Sequence, residues 1–325
     1  MLINAGETKN VGVELTVNTV NFSTKKFSWN TTLTLSHNKN SVKALTGEAV
    51  QLYEARFGFN QNTHRIAVGE PLGQFYGYIT EGLYQVDDFN YDASTQTYTL
   101  KDGIPYHGDK SRIRPGMWKF KNLTGDDNVI DENDKTVIGN AQPKFYGGLN
   151  NSFTYKGFDL SIFLTFSYGN EVLNATKLVT SKVGSLNYNA LDVMNSSNRW
   201  MTINSDGQKV TDPGELAALN AGKTVAAYHD AQQGDNYIHS WAVEDASYLK
   251  LSNVTLGYTF PKNLIARVGL KNLRLYATGN NLLTWTKYSG FDPEVSTMKS
   301  GLTPGVDFGA YPLSRSFIFG LNVAF

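Results

Sequence analysis

The segment from Asn122 to Asp134 concentrates oxygen-bearing side chains at spacings that could bind a metal ion. Proteins bind hard cations such as Ca²⁺ through carboxylate and amide oxygens, so calcium is the natural candidate. The candidate ligands are Asn122, Thr124, Asp126, Asp131 and Asp134. The segment departs from an EF-hand loop, because Asn122 stands at the first ligand position, Asp127 replaces the turn glycine and Asn133 replaces the bidentate glutamate. It therefore predicts either a calcium-binding loop or an acidic surface turn.

Other side chains that could perform catalysis are present, but no catalytic pattern connects them. Five histidines show neither an HExxH motif nor any paired spacing: His37, His64, His107, His229 and His239. The sequence has no GxSxG element, no phosphate-binding glycine loop and no obvious acid–base pair of carboxylates. Cysteine is absent, which excludes disulfides and thiolate metal sites. The sequence predicts a protein that is not an enzyme and has no cofactor beyond the candidate calcium.

Aromatic and acidic residues in the polar segments offer possible ligand contacts. Trp118, Trp200 and Trp241 could stack on sugar rings, or they could simply anchor their own loops. The sequence Asp292-Pro293-Glu294 could contact a ligand, although its proline more simply predicts a fixed turn. A nucleic-acid partner is not expected, because Lys+Arg and Asp+Glu number 29 each and the net charge is 0.

Period-two alternation of apolar and polar residues predicts the elements that position these side chains. The predicted strands are Asn10–Asn21, Phe27–Leu35, Phe145–Tyr155, Phe158–Tyr168, Tyr248–Phe260, Asn272–Trp285 and Phe317–Phe325. Two weaker candidates lie around Ile66–Val68 and Leu72–Tyr84, which brings the count to about nine. Asn38-Lys39-Asn40 is expected to end the second strand. Near Ser252 the apolar phase shifts, which predicts either a bulge or the exit of the strand from the apolar band.

The end of the chain is an apolar strand without a polar tail. Phe317, Phe319, Leu321, Val323 and Phe325 alternate with Ile318, Gly320, Asn322 and Ala324. One face of this strand is therefore continuously apolar. A closing strand of this kind is typical of a membrane barrel.

The connections between the predicted strands alternate between short and long. Short turns surround Ser23–Lys26, Lys156-Gly157 and Pro261–Lys271, whereas long segments cover Asp87–Asn140, Glu171–Ala246 and Tyr288–Ser314. The first long segment is expected to be a loop or a small inserted subdomain, and the second could contain helices at Val172–Val183 and Glu215–Asp230. The pattern predicts an all-β fold. The chain would form part of an antiparallel up-and-down transmembrane β-barrel with long extracellular loops.

A soluble alternative shares much of this pattern. A secreted β-sandwich, such as a glycan-binding module, also has strands with one apolar face. No run of 18 apolar residues predicts a transmembrane helix, and residues 1–10 do not resemble a signal peptide. An exported protein without an export signal is expected to be a fragment of a longer one.

Ordered motifs along nearly the whole chain resemble the SusC/RagA family of TonB-dependent outer-membrane transporters. Early examples are Asn10-Val11-Gly12-Val13-Glu14, Val68-Gly69-Glu70-Pro71 and Glu81-Gly82-Leu83-Tyr84. Later ones are Arg114-Pro115-Gly116, Asp131-Glu132-Asn133-Asp134, Tyr155-Lys156-Gly157-Phe158, Ser247-Tyr248-Leu249-Lys250-Leu251 and Gly279-Asn280-Asn281-Leu282. Each motif is weak alone, but their order and number carry the resemblance.

The resemblance implies that residues 1–325 are the C-terminal part of such a barrel, without the plug domain and the N-terminal half of the barrel. The complete family member has a plugged, 22-stranded barrel in the outer membrane of a Gram-negative bacterium. It imports oligosaccharides or peptides with a SusD-like surface lipoprotein as lid, using energy delivered through TonB. The resemblance also implies that the terminal strand, Phe317 to Phe325, is the signal recognised by the barrel assembly machinery. Its apolar face would contact outer-membrane lipid.

Overall fold

One large antiparallel sheet forms the frame of the structure. A computed structural model of the chain describes residues 6–46, 50–54, 62–125, 127–181, 189, 191–227, 237–297 and 301–325. Its strands are β1 (Gly6–Ser23), β2 (Phe27–Leu45), β3 (Val50–Glu54), β4 (Asn62–Ala67), β5 (Gln74–Gly77), β6 (Thr80–Leu83), β7 (Phe89–Asp92), β8 (Thr97–Leu100), β9 (Tyr106–His107), β10 (Trp118–Phe120), β11 (Val129–Ile130), β12 (Thr136–Asn140), β13 (Phe145–Tyr155), β14 (Phe158–Tyr168), β15 (Glu171–Asn174), β16 (Val243–Asp245), β17 (Tyr248–Thr259), β18 (Asn272–Thr286), β19 (Val306–Asp307) and β20 (Ser316–Ala324). Its α-helices are α1 (Ala175–Thr180), α2 (Pro213–Leu219) and α3 (Lys262–Ile265).

Seven strands pair side by side in chain order, β1-β2-β13-β14-β17-β18-β20, and each pair is antiparallel. This is the up-and-down arrangement that the sequence predicts. The large sheet has two strands fewer than the predicted count. The two weaker candidates instead contribute β4 and β5 to a separate four-stranded sheet with β3 and β12, and β6 to a two-stranded sheet with β10.

The first two strands are longer than the alternation predicts. Asn38, Lys39 and Asn40 do not end β2, because they pair with Gly12, Val11 and Asn10 of β1. The expectation of a break there was wrong. Polar side chains hide the period-two signal in this stretch, whereas backbone pairing does not depend on them.

Two local predictions are confirmed in detail. β13 and β14 have the predicted bounds, and their two-residue turn places Lys156 at φ 46° and Gly157 at φ 88°. Two left-handed residues give the turn type whose twist matches that of the strands. The pairing of β17 with β14 and β18 shifts between Leu251 and Asn253, so Ser252 occupies the predicted bulge.

The buried core lies outside the large sheet, in a region that we call the loop domain (the described residues within 62–140, 170–247 and 287–309). The largest fully buried side chains belong to it: Trp200, Tyr84, Phe75, Phe120, Ile66 and Ile113. The segment Asp87–Asn140 is thus a packed inserted subdomain. The first predicted helical segment contains α1, and the second overlaps α2, which begins two residues before it. Both helices are shorter than predicted, and residues 182–188 and 228–236 lie outside the described parts.

The long connections all leave the same end of the sheet, which we call the loop end, and the short turns lie at the turn end. In the described segments, no helix is long and apolar enough to cross a membrane.

Candidate functional site

The strand register collects most of the apolar side chains of the large sheet on one face, where Thr31 and Asn151 are polar exceptions that hydrogen-bond to each other at 2.7 Å. Residues that pair directly lie on the same face, and one row across six strands consists of Val17, Leu33, Leu149, Leu164, Leu251 and Leu283. We call this side the apolar face. A β-sandwich would need a second sheet over it, yet Leu15, Leu256 and Leu283 are exposed and no other described sheet pairs or packs there.

The opposite side, the polar face, is held together by hydrogen bonds between neighbouring strands. Examples are Ser28 to Thr154 at 2.6 Å, Thr165 to Ser252 at 2.7 Å, Asn253 to Asn280 at 2.8 Å and Thr255 to Thr278 at 2.9 Å. These side chains can exchange hydrogen bonds with water or with a polar ligand. The sheet therefore separates an apolar environment from a polar one.

An ion pair crosses three strands of the polar face. The Arg274 Nη2 and Nε atoms donate to the two carboxylate oxygens of Asp159 at 2.5 and 3.1 Å. Gly257 lies between them on β17, where a Cβ atom would be 2.4 Å from Arg274 Nη2 and 2.6 Å from the Asp159 carboxylate. The sequence analysis missed this pair, because only the register brings the two residues together.

We expect Gly257→Ala to separate Asp159 from Arg274 and to destabilise the sheet by about 1–3 kcal/mol, the usual cost of overpacking. Heat-induced unfolding of the detergent-solubilised protein measures the effect. Gly301→Ala is the control, because a Cβ atom there meets open space. Equal unfolding midpoints for the two variants would show that the pair tolerates the added methyl group.

The last long connection is fastened to the polar face by Glu294. Tyr248 Oη donates to Glu294 Oε1 at 2.7 Å, and the buried Lys250 ammonium pairs with Glu294 Oε2. The Asp292 carboxylate accepts from the backbone N–H of Glu294 at 3.0 Å, so Asp292-Pro293-Glu294 forms the expected turn. A cleft of about 390 Å³ opens beside Glu294, between Tyr146 and Tyr248 of the sheet and the loop domain.

The three tryptophans of the polar segments anchor the loop domain. Trp118 and Trp200 are buried, and Trp241 packs against the same core with its ring 4.9 Å from that of Trp118. Lys177 lies 4.1 Å from the Trp241 ring and forms an ion pair of 3.0 Å with Glu244. Their burial leaves Trp118 and Trp200 no surface on which a sugar could stack.

Two histidines of the loop domain are kept neutral. Burial lowers the pKa of His239 to about 3, and the nearby Lys177 adds to the effect. Burial also lowers the pKa of His64 to about 4, although its hydrogen bond to Pro304 opposes this. His64 Nε2 donates to the Pro304 carbonyl at 2.9 Å and so links β4 to the last long connection. His229 lies outside the described residues.

Acidification should therefore weaken the loop domain. The pKa of His64 is lower in the folded chain than its ordinary 6.5, so the unfolded chain binds the proton more tightly. The stability that neutral His64 contributes is present above pH 6.5 and is lost as the pH falls towards 4, by about 3 kcal/mol at most. Unfolding midpoints at several pH values measure this. We expect His64→Gln to reduce the loss of stability between pH 6.5 and 4, while the part due to His239 remains. His37→Gln, at an exposed site, is the control variant. A loss in His64→Gln as large as in the wild type would contradict the assignment.

The carboxylates of the candidate calcium loop accept hydrogen bonds from the backbone. Asp134 accepts from the N–H groups of Leu123, Thr124 and Asp131 at 2.6, 3.0 and 2.8 Å. Burial raises the pKa of Asp134, but these bonds outweigh burial and bring it below its ordinary value. Asp131 accepts from Asn133 N–H at 2.7 Å, and Asn122 Oδ1 accepts from Gly125 N–H at 2.8 Å.

The structure brings Thr124 and Asp134 together, with 3.1 Å between Thr124 Oγ1 and Asp134 Oδ1. Asp126 lies outside the described residues, and within them no three His, Asp or Glu residues are grouped to hold a metal ion. Calcium binding stays a prediction. If the loop binds calcium, millimolar calcium should raise the unfolding midpoint of the protein and the same concentration of magnesium should not. An unchanged midpoint would mean that the segment is an acidic surface turn.

The terminal strand forms one edge of the large sheet. Among the described strands, β20 pairs with β18 alone, through Phe319 with Ala277, Leu321 with Leu275 and Val323 with Leu273. Phe317, Phe319, Leu321, Val323 and Phe325 are all exposed, and Phe319 reaches 81%. The structure thus confirms the continuous apolar strip, while its role as an assembly signal stays a prediction.

The amino-acid sequence is similar to those of TonB-dependent receptors along its whole length. No protein-family model matches the chain. It is 34% identical over 329 residues to TonB-dependent receptor P3 of Formosa agariphila, covering 99% of this chain and 29% of the receptor. It is 27% identical over 338 residues to TonB-dependent receptor SusC of Bacteroides thetaiotaomicron, covering 100% of this chain and 27% of SusC.

Solved structures show the same fold. A structure of the RagAB peptide transporter superposes with a TM-score of 0.67 and 21% identity, over 99% of this chain and 30% of that one. The relatives are named as receptors and transporters, and the chain spans less than a third of their length. From end to end, the chain is therefore homologous to about three tenths of TonB-dependent receptors, with SusC among the relatives that it matches.

Proposed function

We propose that the chain forms part of the wall of an outer-membrane barrel that imports nutrients in a TonB-dependent manner. The observation that carries this proposal is the two-faced sheet in a homologue of SusC-type receptors. The apolar face is suited to lipid, and the polar face is suited to an aqueous interior. The cell would be a Gram-negative bacterium, as it is for the outer membrane in general.

The exposed apolar side chains support a lipid environment. Val13, Leu15, Phe158, Leu256 and Phe319 each expose half or more of their surface on the apolar face. Each exposed Å² of apolar surface in water costs about 25 cal/mol, so a belt of such residues strongly favours transfer into lipid. The strands β13 and β14 have 11 residues each, the length of a tilted strand that crosses a bilayer.

Strand direction supports the proposal that residues 1–325 are the C-terminal part of a larger barrel. The sheet has seven antiparallel strands, so its edge strands β1 and β20 both run from the loop end to the turn end. They are therefore parallel to each other and cannot pair to close an antiparallel barrel. Closure needs an odd number of further strands, which gives the even total typical of bacterial barrels.

The cargo and partners are proposed by analogy with the relatives. RagAB is described as a peptide transporter, whereas SusC is described as a receptor, and we propose oligosaccharides or peptides as cargo here. The cleft beside Glu294 opens on the polar face and is a candidate contact for that cargo. A SusD-like lipoprotein would form the lid, TonB would deliver energy through a segment outside these residues, and the barrel assembly machinery would recognise the terminal strand.

Uptake measurements test this proposal. Cells that carry the gene should accumulate a labelled oligosaccharide or peptide cargo, and deletion of either the gene or TonB should abolish accumulation. The protein should be recovered from membranes only with detergent, because water would meet its apolar face and two unpaired edges. Recovery as a monodisperse monomer without detergent, or uptake that is independent of TonB, would contradict the proposal.

A further inference from the structure

The short turns at the turn end carry six exposed basic residues. These turns join β1 to β2, β13 to β14 and β17 to β18, and the three strand pairs lie side by side in the large sheet. Their basic residues are Lys25, Lys26, Lys156, Lys262, Arg267 and Lys271, and all six are exposed. None of them takes part in the ion pairs found among the described residues. The turn end therefore presents a row of cations with which no described carboxylate pairs.

The charge of the chain is distributed unevenly along the strands. The parts nearest the turn end are residues 19–29, 153–160, 255–276 and 321–325, and they contain seven of the 29 basic residues but one of the 29 acidic ones. That acidic residue is Asp159, which already pairs with Arg274. Seven positive and one negative side chains give these parts a net charge of +6, so the rest of the neutral chain carries −6. The turn end is thus suited to an anionic surface.

Backbone hydrogen bonds hold neighbouring turns together. Lys156 N–H donates to the Lys26 carbonyl at 3.4 Å, and Thr259 N–H donates to the Gly157 carbonyl at 2.8 Å. Lys26 and Lys156 therefore lie on adjacent turns whose backbones are joined. A single anionic group at this point can contact both ammonium groups.

Aromatic residues of the apolar face border the same turns. Tyr155 pairs with Phe27 on one side and Phe158 on the other, and Phe158 pairs with Tyr258 at a ring distance of 4.5 Å. The Lys156 Nζ atom lies 5.2 Å from the centre of the Tyr155 ring, which places this ammonium on the same side of the sheet as the rings. Aromatic girdles of membrane barrels lie where acyl chains meet headgroups. Lys156 thus stands at the headgroup level of a lipid-facing surface.

The turn between β17 and β18 combines cations with exposed apolar side chains. It contains α3, and both Leu264 and Val268 expose more than half of their surface. Lys262 and Arg267 are exposed beside them. Segments that lie in a membrane interface have this combination, because apolar side chains enter the acyl boundary while cations meet the headgroups.

We propose that the turn end binds anionic phospholipid in the periplasmic leaflet, with one headgroup phosphate between Lys26 and Lys156 and an acyl chain along Phe27 and Tyr155. The lipid is anionic rather than zwitterionic, because the three turns contain no carboxylate that could pair with an ammonium group. Each lysine or arginine near an anionic membrane surface raises the affinity about fivefold, equivalent to ~1 kcal/mol. The inference rests on the proposed function, which places the short turns of the barrel on the periplasmic side.

Lipid titrations followed by native mass spectrometry test the inference. The protein is purified in detergent together with the chains that accompany it, and phosphatidylglycerol or phosphatidylethanolamine with identical acyl chains is added. We expect phosphatidylglycerol to bind more tightly and added salt to weaken its binding. We expect the double variant Lys26→Gln/Lys156→Gln to lower the affinity for phosphatidylglycerol about thirtyfold, as the loss of two such contacts implies, and to lower that for phosphatidylethanolamine less.

Two further double variants separate a headgroup site from a general effect of charge. Lys26→Arg/Lys156→Arg keeps both cations and should keep the affinity. Lys39→Gln/Lys43→Gln removes two exposed cations from the loop end of β2 and should also leave it unchanged. Equal affinity for the two lipids, or equal losses in the turn-end and loop-end glutamine variants, overturns the site while leaving the barrel proposal intact. Recovery of the protein without detergent overturns both proposals.

Discussion

Leu164→Arg should prevent stable insertion of this protein into the outer membrane. Leu164 lies near the middle of β14, in the leucine row of the apolar face, and pairs with Leu149 and Leu251. Arginine at the middle of a lipid-facing strand costs about 2–4 kcal/mol. That cost corresponds to a fall of roughly thirtyfold to a thousandfold in the ratio of folded to unfolded chains. The amount of heat-modifiable protein in outer-membrane fractions measures it.

The matched control is Ser152→Arg, on the polar face of the neighbouring strand. Ser152 pairs with Asn30 and Ser161, so an added guanidinium there lies among polar groups. We expect this variant to insert at close to the wild-type amount. Equal losses in the two variants would mean that the two faces do not differ in environment, which would contradict the lipid assignment.

Removal of the terminal aromatic should have the second large effect. Phe325 follows β20 directly and is 80% exposed, so it contributes little to packing within the described structure. If the terminal strand is the assembly signal, Phe325→Ser should lower the assembled protein about tenfold or more, equivalent to at least ~1.4 kcal/mol in recognition. Pulse-labelling followed by membrane fractionation measures assembly.

An exposed aromatic residue elsewhere provides the control for this prediction. Tyr311 is 89% exposed in the last long connection, so Tyr311→Ser removes a similar amount of exposed apolar surface. We expect it to leave assembly unchanged. Normal assembly of Phe325→Ser would remove the signal function from this residue, and a comparable defect in both variants would point to a general loss of apolar surface.

The large sheet was predictable because most of its strands have one apolar face and one polar face, which gives a period-two pattern in the sequence. β13 and β14 alternate along nearly their whole length, and Gly157 favours the left-handed turn between them. Where both sides of a strand are polar, as in β2 after Leu35, the alternation disappears although the pairing continues. The sequence pattern therefore predicted the alternating part of each strand and missed the extension of β2 beyond Leu35.

The loop domain was much less predictable, because its contacts join distant segments. Trp118 packs on Trp241, and His64 bonds to the carbonyl of Pro304, and no local pattern signals either contact. Opposite charges on nearby predicted strands were a possible signal for the Asp159–Arg274 pair. That signal becomes usable only once the bulge at Ser252 is counted in the register.

Cysteine labelling along β14 tests most directly whether the two faces meet lipid and water. Residues 1–325 contain no cysteine, so each substitution introduces the one thiol of this part of the barrel, and the unsubstituted protein gives the background labelling. Leu160, Ile162 and Leu164 lie on the apolar face, and Asp159, Ser161 and Thr165 lie on the polar face. With the protein in its native membrane, we expect a charged thiol reagent to label cysteines at the polar positions and to spare those at the apolar ones. Labelling of both sets, or of the apolar set alone, would contradict the proposal that this sheet is a barrel wall.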